Sequence, residues 1–332
     1  MTKIIKIDPA NIDMELLSQA ADVIKHGGLV AFPTETVYGL GADTFNSDAV
    51  ANIFRAKGRP MDNPLISHIS DIADLEMFAR EIPPSAIKLA EEFWGGPLTL
   101  ILKKKAGIPD CVTAGLDTVA VRLPSHSIAN VLIKLSGTPI AAPSANLSGS
   151  PSPTTATHCI QDLDGRVDMI IDGGSSMIGI ESTVIDLSTE VPVILRPGMI
   201  SPEDMRSVIG EVVYAGEVEG APKCPGMKYT HYSPNASVIV IEDVSDYKKH
   251  TRSGETVCVI AKNASDAGIA ADIVYDAGNS DAEYAARLFY LLRKADEDGA
   301  DVVFAQLPET SGIGIALRNR LFKSAGGRVI MK

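Results

Sequence analysis

Two short signatures far apart in the chain hold the groups best suited to chemistry. Lys57-Gly58-Arg59-Pro60 sets two cations two residues apart, on a segment stiffened by Pro60 and Asn63-Pro64. Ser144-Ala145-Asn146 supplies a hydroxyl and an amide, and Ser148, Gly149 and Ser152 follow closely. Arg122 and Arg196 add two further cations, each at or near the edge of an apolar run. This inventory suits a multiply charged anion, such as a nucleoside triphosphate, bound beside a small polar substrate. A stiff loop fixes its cations before the ligand arrives, which lowers the ordering cost of binding. The chain has no Walker A loop, no G-x-G-x-x-G and no kinase signature, so a nucleotide would be held by a less common arrangement. It also lacks a G-x-S-x-G elbow and the ordered His and Asp that would make Ser144 a nucleophile.

Each signal also has a plainer reading. Lys57 and Arg59 follow a helix, where the dipole favours cations in any case. A Ser, Asn and Gly composition is that of an ordinary turn. Arg122 alternates with apolar residues and either faces solvent or clamps a carboxylate bidentately. His68, in a short apolar strand, is either a core residue or a ligand. Thr34, Glu35 and Thr36 form a polar cluster emerging from an apolar strand, and Gly39 lets the backbone approach closely. The number of cations at element edges, more than any one of them, points to a cleft for an anion.

The elements that must position these groups follow from hydrophobic periodicity and capping signals. Helices are expected over 14–25, with Asp13 as N-cap and Gly27-Gly28 as terminator, and over 47–56, with Ser47 as cap. Further helices are expected over 84–94, 126–135 and 202–209. Strands are expected over 29–32, 65–69, 98–102, 118–124, 139–142, 169–171, 182–187 and 191–195. Strands and helices mix without strict alternation, so the fold class is α/β, a twisted mixed sheet with flanking helices, over residues 1–210. Residues 211–235 are proline-rich but carry Lys228, Tyr229, His231 and Tyr232, and form either a spacer or a cover over a site. From 236 to 332, strands at 237–241, 256–260 and 302–304 alternate with helices at 282–295 and 315–323, as in a small Rossmann-like parallel α/β domain.

The net charge is −12, and −10 of it lies in the first 235 residues. Any anion site there is a local concentration of cations in an acidic surround, and a surface that grips nucleic acid throughout is excluded. The four cysteines form no C-x-x-C pair, which suits free thiols in a reducing compartment. No secretory signal and no apolar run of about 18 residues is present, so a cytoplasmic location is expected.

The motifs taken together resemble a known family. Phe32-Pro33-Thr34-Glu35-Thr36-Val37-Tyr38-Gly39-Leu40, Lys57-Gly58-Arg59-Pro60 with Asn63-Pro64-Leu65, Pro97-Leu98-Thr99, Val121-Arg122-Leu123-Pro124, Pro143-Ser144-Ala145-Asn146-Leu147-Ser148-Gly149 and Glu181-Ser182-Thr183-Val184 closely resemble the L-threonylcarbamoyladenylate synthases. The remainder resembles the two-domain branch of that family, with a YrdC-like first domain. The resemblance implies that L-threonine, bicarbonate or CO2, and ATP give threonylcarbamoyl-AMP and pyrophosphate. That product would feed threonylcarbamoyl modification of adenosine in tRNAs that read ANN codons, through downstream transfer machinery. The family's catalytic tetrad falls on Lys57, Arg59, Ser144 and Asn146. By the same resemblance, Arg59, Asn63, Thr118, Ser144, Ser152, Arg196 and Tyr232 would hold ATP, with Lys57 also at the phosphates. Thr36, His68, Arg122 and Ser182 would hold threonine, Arg122 on its carboxylate. No metal ligand from the protein is implied, and Mg2+ would ride on the triphosphate. The alternative reading is a double-stranded RNA or tRNA-binding module without ATP chemistry of its own, against which the acidity weighs; tRNA would bind weakly.

Overall fold

The structure is a computed structural model and describes residues 1–215, 232–265 and 268–331. The described chain divides into two compact units. The first holds residues 1–148, 153–177 and 181–215, and the second holds 149–152, 178–180 and the described residues from 232 on.

The first unit begins with β1 (Lys3–Lys6), α1 (Met14–Lys25), β2 (Val30–Phe32), β3 (Gly39–Asp43), α2 (Ser47–Lys57) and β4 (Ile66–His68). It continues with α3 (Leu75–Phe78), α4 (Pro84–Phe93), β5 (Leu98–Lys103), α5 (Asp110–Thr113), β6 (Thr118–Arg122), α6 (Ser127–Ser136) and β7 (Ile140–Ala142). It ends with α7 (Ala156–Leu163), β8 (Met169–Asp172), β9 (Thr183–Asp186), β10 (Val193–Arg196), α8 (Pro202–Ile209) and β11 (Val213–Tyr214). The strands form one sheet in the order β1-β8-β2-β3-β7-β4-β6-β5-β9-β10-β11. Pairing is mixed: β4–β6 and β5–β9 are parallel, whereas β4–β7 and β5–β6 are antiparallel.

Each face of this sheet has its own core. Val50 and Ile53 of α2, Leu89 of α4, Leu163 of α7 and Met205 of α8 share one cluster with Leu98, Leu100, Val119 and Val121 of the strands. Leu17 and Ile24 of α1 and Ile128 and Leu132 of α6 share another with Ile5, Val30, Phe32, Ile140 and Ile171. Each fully buried side chain of this kind contributes roughly 1.5–3 kcal/mol.

Three local differences from the sequence expectation have simple causes. Asn46, not Ser47, caps α2: its side chain accepts from the Ala49 amide, and Gly58 ends the helix in the left-handed region at φ 61°. The helix therefore runs one residue further and takes Lys57 into its last turn. The glycine-rich segment 39–43 is a strand despite poor propensity. A Cβ on Gly41 would stand 2.5 Å from Ile140 Cγ2 and 2.8 Å from Phe32 Cε1, so close packing excludes any larger residue there. Val213–Tyr214, expected within the linker, extends the sheet in parallel with β10. Residues 216–231 of the linker lie outside the described residues.

The second unit carries β12 (Ser237–Ile241), β13 (Val257–Ala261), β14 (Ile273–Asp276), α9 (Asp281–Glu297), β15 (Val302–Gln306), α10 (Ile313–Ser324) and β16 (Val329–Ile330). Its five strands are all parallel, in the order β14-β13-β15-β12-β16. The edge strand β14 is short and half-buried, which leaves little alternation to detect in sequence. Two short segments fold with this unit. Pro151 O accepts from Arg293 Nε and Nη2 of α9, at 3.2 and 2.6 Å. Gly179, at φ 77°, lies so close to α9 that an added Cβ would stand 2.5 Å from Ala285 O and Ala286 Cα.

Candidate active site

Period-two alternation decides which side chains of the central strands share a face. Leu98, Leu100, Leu102, Val119 and Val121 enter the helix-covered core. The alternate residues Ile66, Ile101, Ala120 and Val184 form a separate small cluster with Leu195. This cluster is an apolar floor, and polar side chains stand on either side of it.

On one side, strand register lines up a row that is polar at every position but Val184. His68 of β4 pairs with Arg122 of β6, Arg122 with Thr99 of β5, Thr99 with Val184 of β9, and Val184 with Arg196 of β10. Arg122 is 4% exposed. It is buried rather than solvent-facing, and its Nη2 donates to Glu35 Oε1 at 2.6 Å. Glu35 comes from the loop after β2. Its Oε2 and Arg122 Nε are both buried without a hydrogen-bond partner among the described residues. His68 is fully buried and edge-on to Phe32, with ring centroids 6.1 Å apart. Burial first, and the neighbouring Arg122 charge second, push its pKa down to about 3, so the ring is neutral near pH 7. Nδ1 faces the carbonyls of Ile66 and Ile140 at 3.1 and 3.3 Å. The proton therefore sits on Nδ1 and leaves Nε2 as an acceptor. Further along, Thr99 Oγ1 and Ser182 Oγ are 2.8 Å apart. Arg196 donates from Nε to Ser182 O at 3.0 Å and from Nη2 to Ser182 Oγ at 3.1 Å. In the loop before β3, Thr34 Oγ1 lies 2.9 Å from Thr36 Oγ1 and donates to Val37 O.

Across the floor stands the second group. Lys57 is 2% exposed, and its Nζ donates to Ser144 O at 2.6 Å, Asn146 O at 2.5 Å and Asn146 Oδ1 at 3.4 Å. Ser144 Oγ donates to the same Oδ1 at 2.6 Å, and the Ser148 amide bonds Lys57 O. The two opening signatures are thus one structure: the lysine staples the Ser-x-Asn turn. Arg59 Nη2 reaches Asn63 O and Pro64 O, both at 3.4 Å. Asn63 is 1% exposed with Oδ1 unpartnered among the described residues. Because β4 and β6 are parallel with Ile66 opposite Ala120, Asn63 and Thr118 reach the same edge. Because β7 runs antiparallel to β4 with Ala142 opposite Ile66, Ser144 arrives there too. Thr118 and Arg122 share a face of β6 but lie about 13 Å apart along it.

The sequence-expected residues therefore fall into two sets and a remainder. Lys57, Arg59, Asn63, Thr118, Ser144 and Asn146 gather on one side of the floor, and His68, Arg122, Ser182 and Arg196 on the other. Arg196, expected at the phosphates, is bonded to Ser182 of the threonine set. Thr36 lies in the loop that carries Glu35. Ser152 and Tyr232 fold with the second unit, where Tyr232 is buried, stacks on Phe289 at 5.1 Å and has Arg320 6.0 Å from its ring centre. Sequence reasoning gave no role to Thr99 or Glu35. Both were visible as polar residues interrupting or leaving apolar strands, the same signal that drew attention to Arg122.

Residues 22–198 match the family model described as "Telomere recombination", that of the Sua5, YciO and YrdC proteins. This defines the first unit as a Sua5/YrdC-type domain. Residues 200–326 match a second model, "Threonylcarbamoyl-AMP synthase, C-terminal domain". A threonylcarbamoyl-AMP synthase from Pyrococcus abyssi is 50% identical over 325 residues, covering 94% of each chain. One from Bacillus subtilis is 47% identical, covering 95% of this chain and 94% of its own. The crystal structure of P. abyssi Sua5 complexed with L-threonine superposes with a TM-score of 0.93 at 47% identity, covering 99% of both chains. The chain belongs to the threonylcarbamoyl-AMP synthase family.

Proposed function

We propose that the first unit condenses L-threonine, CO2 or bicarbonate, and ATP into threonylcarbamoyl-AMP, with the two polar groups binding the two halves of the product. The observation that carries this reading is the strand register itself: a buried arginine row with hydroxyls on one side of the floor, and a cation and amide turn on the other. Arg122 takes the threonine carboxylate, and Ser182, Thr36 and the neutral His68 meet its remaining polar groups. A neutral His68 Nε2 accepts a hydrogen bond from a hydroxyl without adding a second charge beside Arg122. Arg59, Asn63, Thr118, Ser144 and Asn146 hold the nucleotide. Lys57 acts through the turn it staples.

The amine of threonine attacks CO2 to give a carbamate, losing a proton to solvent. A carbamate oxygen then attacks the α-phosphorus in line as the bond to pyrophosphate breaks. The carbamate and the triphosphate that react are both anions, so the protein's contribution is positioning and charge stabilisation. Arg196, held beside Ser182, puts a cation at the threonine end, where the carbamate meets the α-phosphate. The donors of the nucleotide group are cations, hydroxyls and amides rather than carboxylates, so Mg2+ is carried as the ATP complex. The product is an activated mixed anhydride, which separate machinery transfers to adenosine of tRNA. Among the described residues no helix is long and apolar enough to cross a membrane.

Pyrophosphate release from ATP tests the reading directly. Release requiring both threonine and bicarbonate is expected. Release independent of threonine, or none beside salt-sensitive binding of RNA, would overturn it.

A further inference from the structure

Burial alone does not call for the Arg122–Glu35 pair as it is built. A buried ion pair stabilises a fold only when its remaining donors and acceptors are also met. Here one guanidinium nitrogen and one carboxylate oxygen meet each other, at 2.6 Å. Glu35 is 2% exposed, and its Oε2 has no partner among the described residues; Arg122 Nε is in the same condition. Buried polar atoms are almost always bonded, so a matched pair of open ones points to a ligand.

The two openings have opposite polarity. Arg122 offers a donor and Glu35 an acceptor, from side chains that already touch. A zwitterionic α-amino acid makes the reverse demand, an acceptor carboxylate and a donor ammonium on one carbon. The next residue adds to the acceptor side. The single hydroxyl proton of Thr34 goes to Val37 O, so in its contact with Thr36 the Thr36 hydroxyl is the donor. Thr36 Oγ1 is then left with lone pairs only.

We propose that Glu35 is the receptor for the α-ammonium of the substrate and, once the carbamate has formed, for its N–H. Arg122 and Glu35 then read the two ends of the amino acid as a unit, and the site admits α-amino acids rather than hydroxy acids. The inference rests on the reading of Arg122 as the carboxylate clamp. Glu35 is a binding residue, and no proton transfer is assigned to it.

The test uses the full chain and three ligands measured by calorimetry: L-threonine, its desamino analogue (R)-3-hydroxybutyrate, and threoninol, which lacks the carboxylate. The wild-type protein is expected to bind 3-hydroxybutyrate at least roughly 30-fold more weakly than threonine, as loss of a charge-assisted hydrogen bond implies. Glu35→Gln keeps an oxygen for Arg122 but removes the charge. It is expected to weaken threonine by a similar factor while leaving 3-hydroxybutyrate unchanged. Equal losses for both ligands would overturn the proposal, because Glu35 would then act only by holding Arg122. Equal wild-type affinity for threonine and 3-hydroxybutyrate would also overturn it, and needs no variant to fold. Arg122→Gln separates the underlying reading: if it leaves the preference for threonine over threoninol intact, the carboxylate clamp is wrong whatever Glu35 does.

Discussion

Lys57 and Arg122 are both buried cations, 2% and 4% exposed, on opposite sides of one apolar floor, yet their donors go to different ends. Lys57 gives its protons to backbone and amide oxygens of the Ser144–Asn146 turn. Arg122 gives one bond to Glu35 and keeps Nε open. A cation met by the backbone fixes a shape, whereas one left partly open is poised for a ligand. Residue type and burial alone do not separate these two roles. The partner atoms do.

The largest expected effect comes from removing the open cation. Arg122→Gln leaves Glu35 buried without its counter-charge, a loss of about 3–5 kcal/mol in urea unfolding. The threonine KM should rise by roughly 100-fold while the KM for ATP stays nearly constant, since a buried, ligand-facing charge is at stake. The double variant Glu35→Gln/Arg122→Gln should recover most of the stability and none of the threonine affinity. If it recovers neither, the pair is structural and the contrast with Lys57 disappears.

Lys57→Met comes next. Three oxygens of a buried turn lose their donor, so stability should fall by about 2–3 kcal/mol. Turnover should drop by about 100-fold, as loss of a charge-stabilising geometry often causes. The stability loss is the informative part. Normal stability with lost turnover would mean that Lys57 faces the ligand, and the two cations would then be alike.

His68 tests the same contrast by pH. Its folded pKa of about 3 lies well below the ordinary 6.5, mainly through burial and then through Arg122. Between those values the unfolded chain binds the extra proton. The stability held by neutral His68 is therefore complete above pH 6.5 and is lost as pH falls toward 3, with a slope of up to about 1.4 kcal/mol per pH unit. His68→Asn should flatten that part of the stability curve. An unchanged curve would show that the ring is not desolvated beside Arg122.

The elements of both sides were largely legible in sequence, because α1 and α2 show helical apolar spacing and β5 and β6 are short apolar runs rich in strand-forming residues. The partners were not. Register between strands as distant as β4, β6 and β9 is set by tertiary pairing, which no local pattern encodes. That is why the bond from Arg196 to Ser182 was not foreseen, and why Glu35 was noticed without a role. The direction of Lys57 was hidden for a related reason. One more helical residue before Gly58 turns its side chain into the Ser-x-Asn turn. β3 was missed because its glycines answer to the packing of Phe32 and Ile140, not to strand propensity.

The smallest effect, and the finest test, lies at the far end of the arginine row. Ser182 Oγ joins Thr99 Oγ1 and Arg196 Nη2, so it is a ligand candidate that is already partly satisfied. By the logic that separates Lys57 from Arg122, it should behave as an intermediate case. Ser182→Ala removes a partner from two buried groups and should cost about 1–2 kcal/mol of stability. As a substrate-facing hydroxyl it should also raise the threonine KM by roughly 10-fold, the value of one neutral hydrogen bond. Thr99→Val removes a hydroxyl that bonds Ser182 Oγ, and should cost about 1 kcal/mol with little change in KM. If Thr99→Val raises KM as much as Ser182→Ala does, Thr99 itself meets the substrate beside Ser182, and its bond to Ser182 is not its whole role.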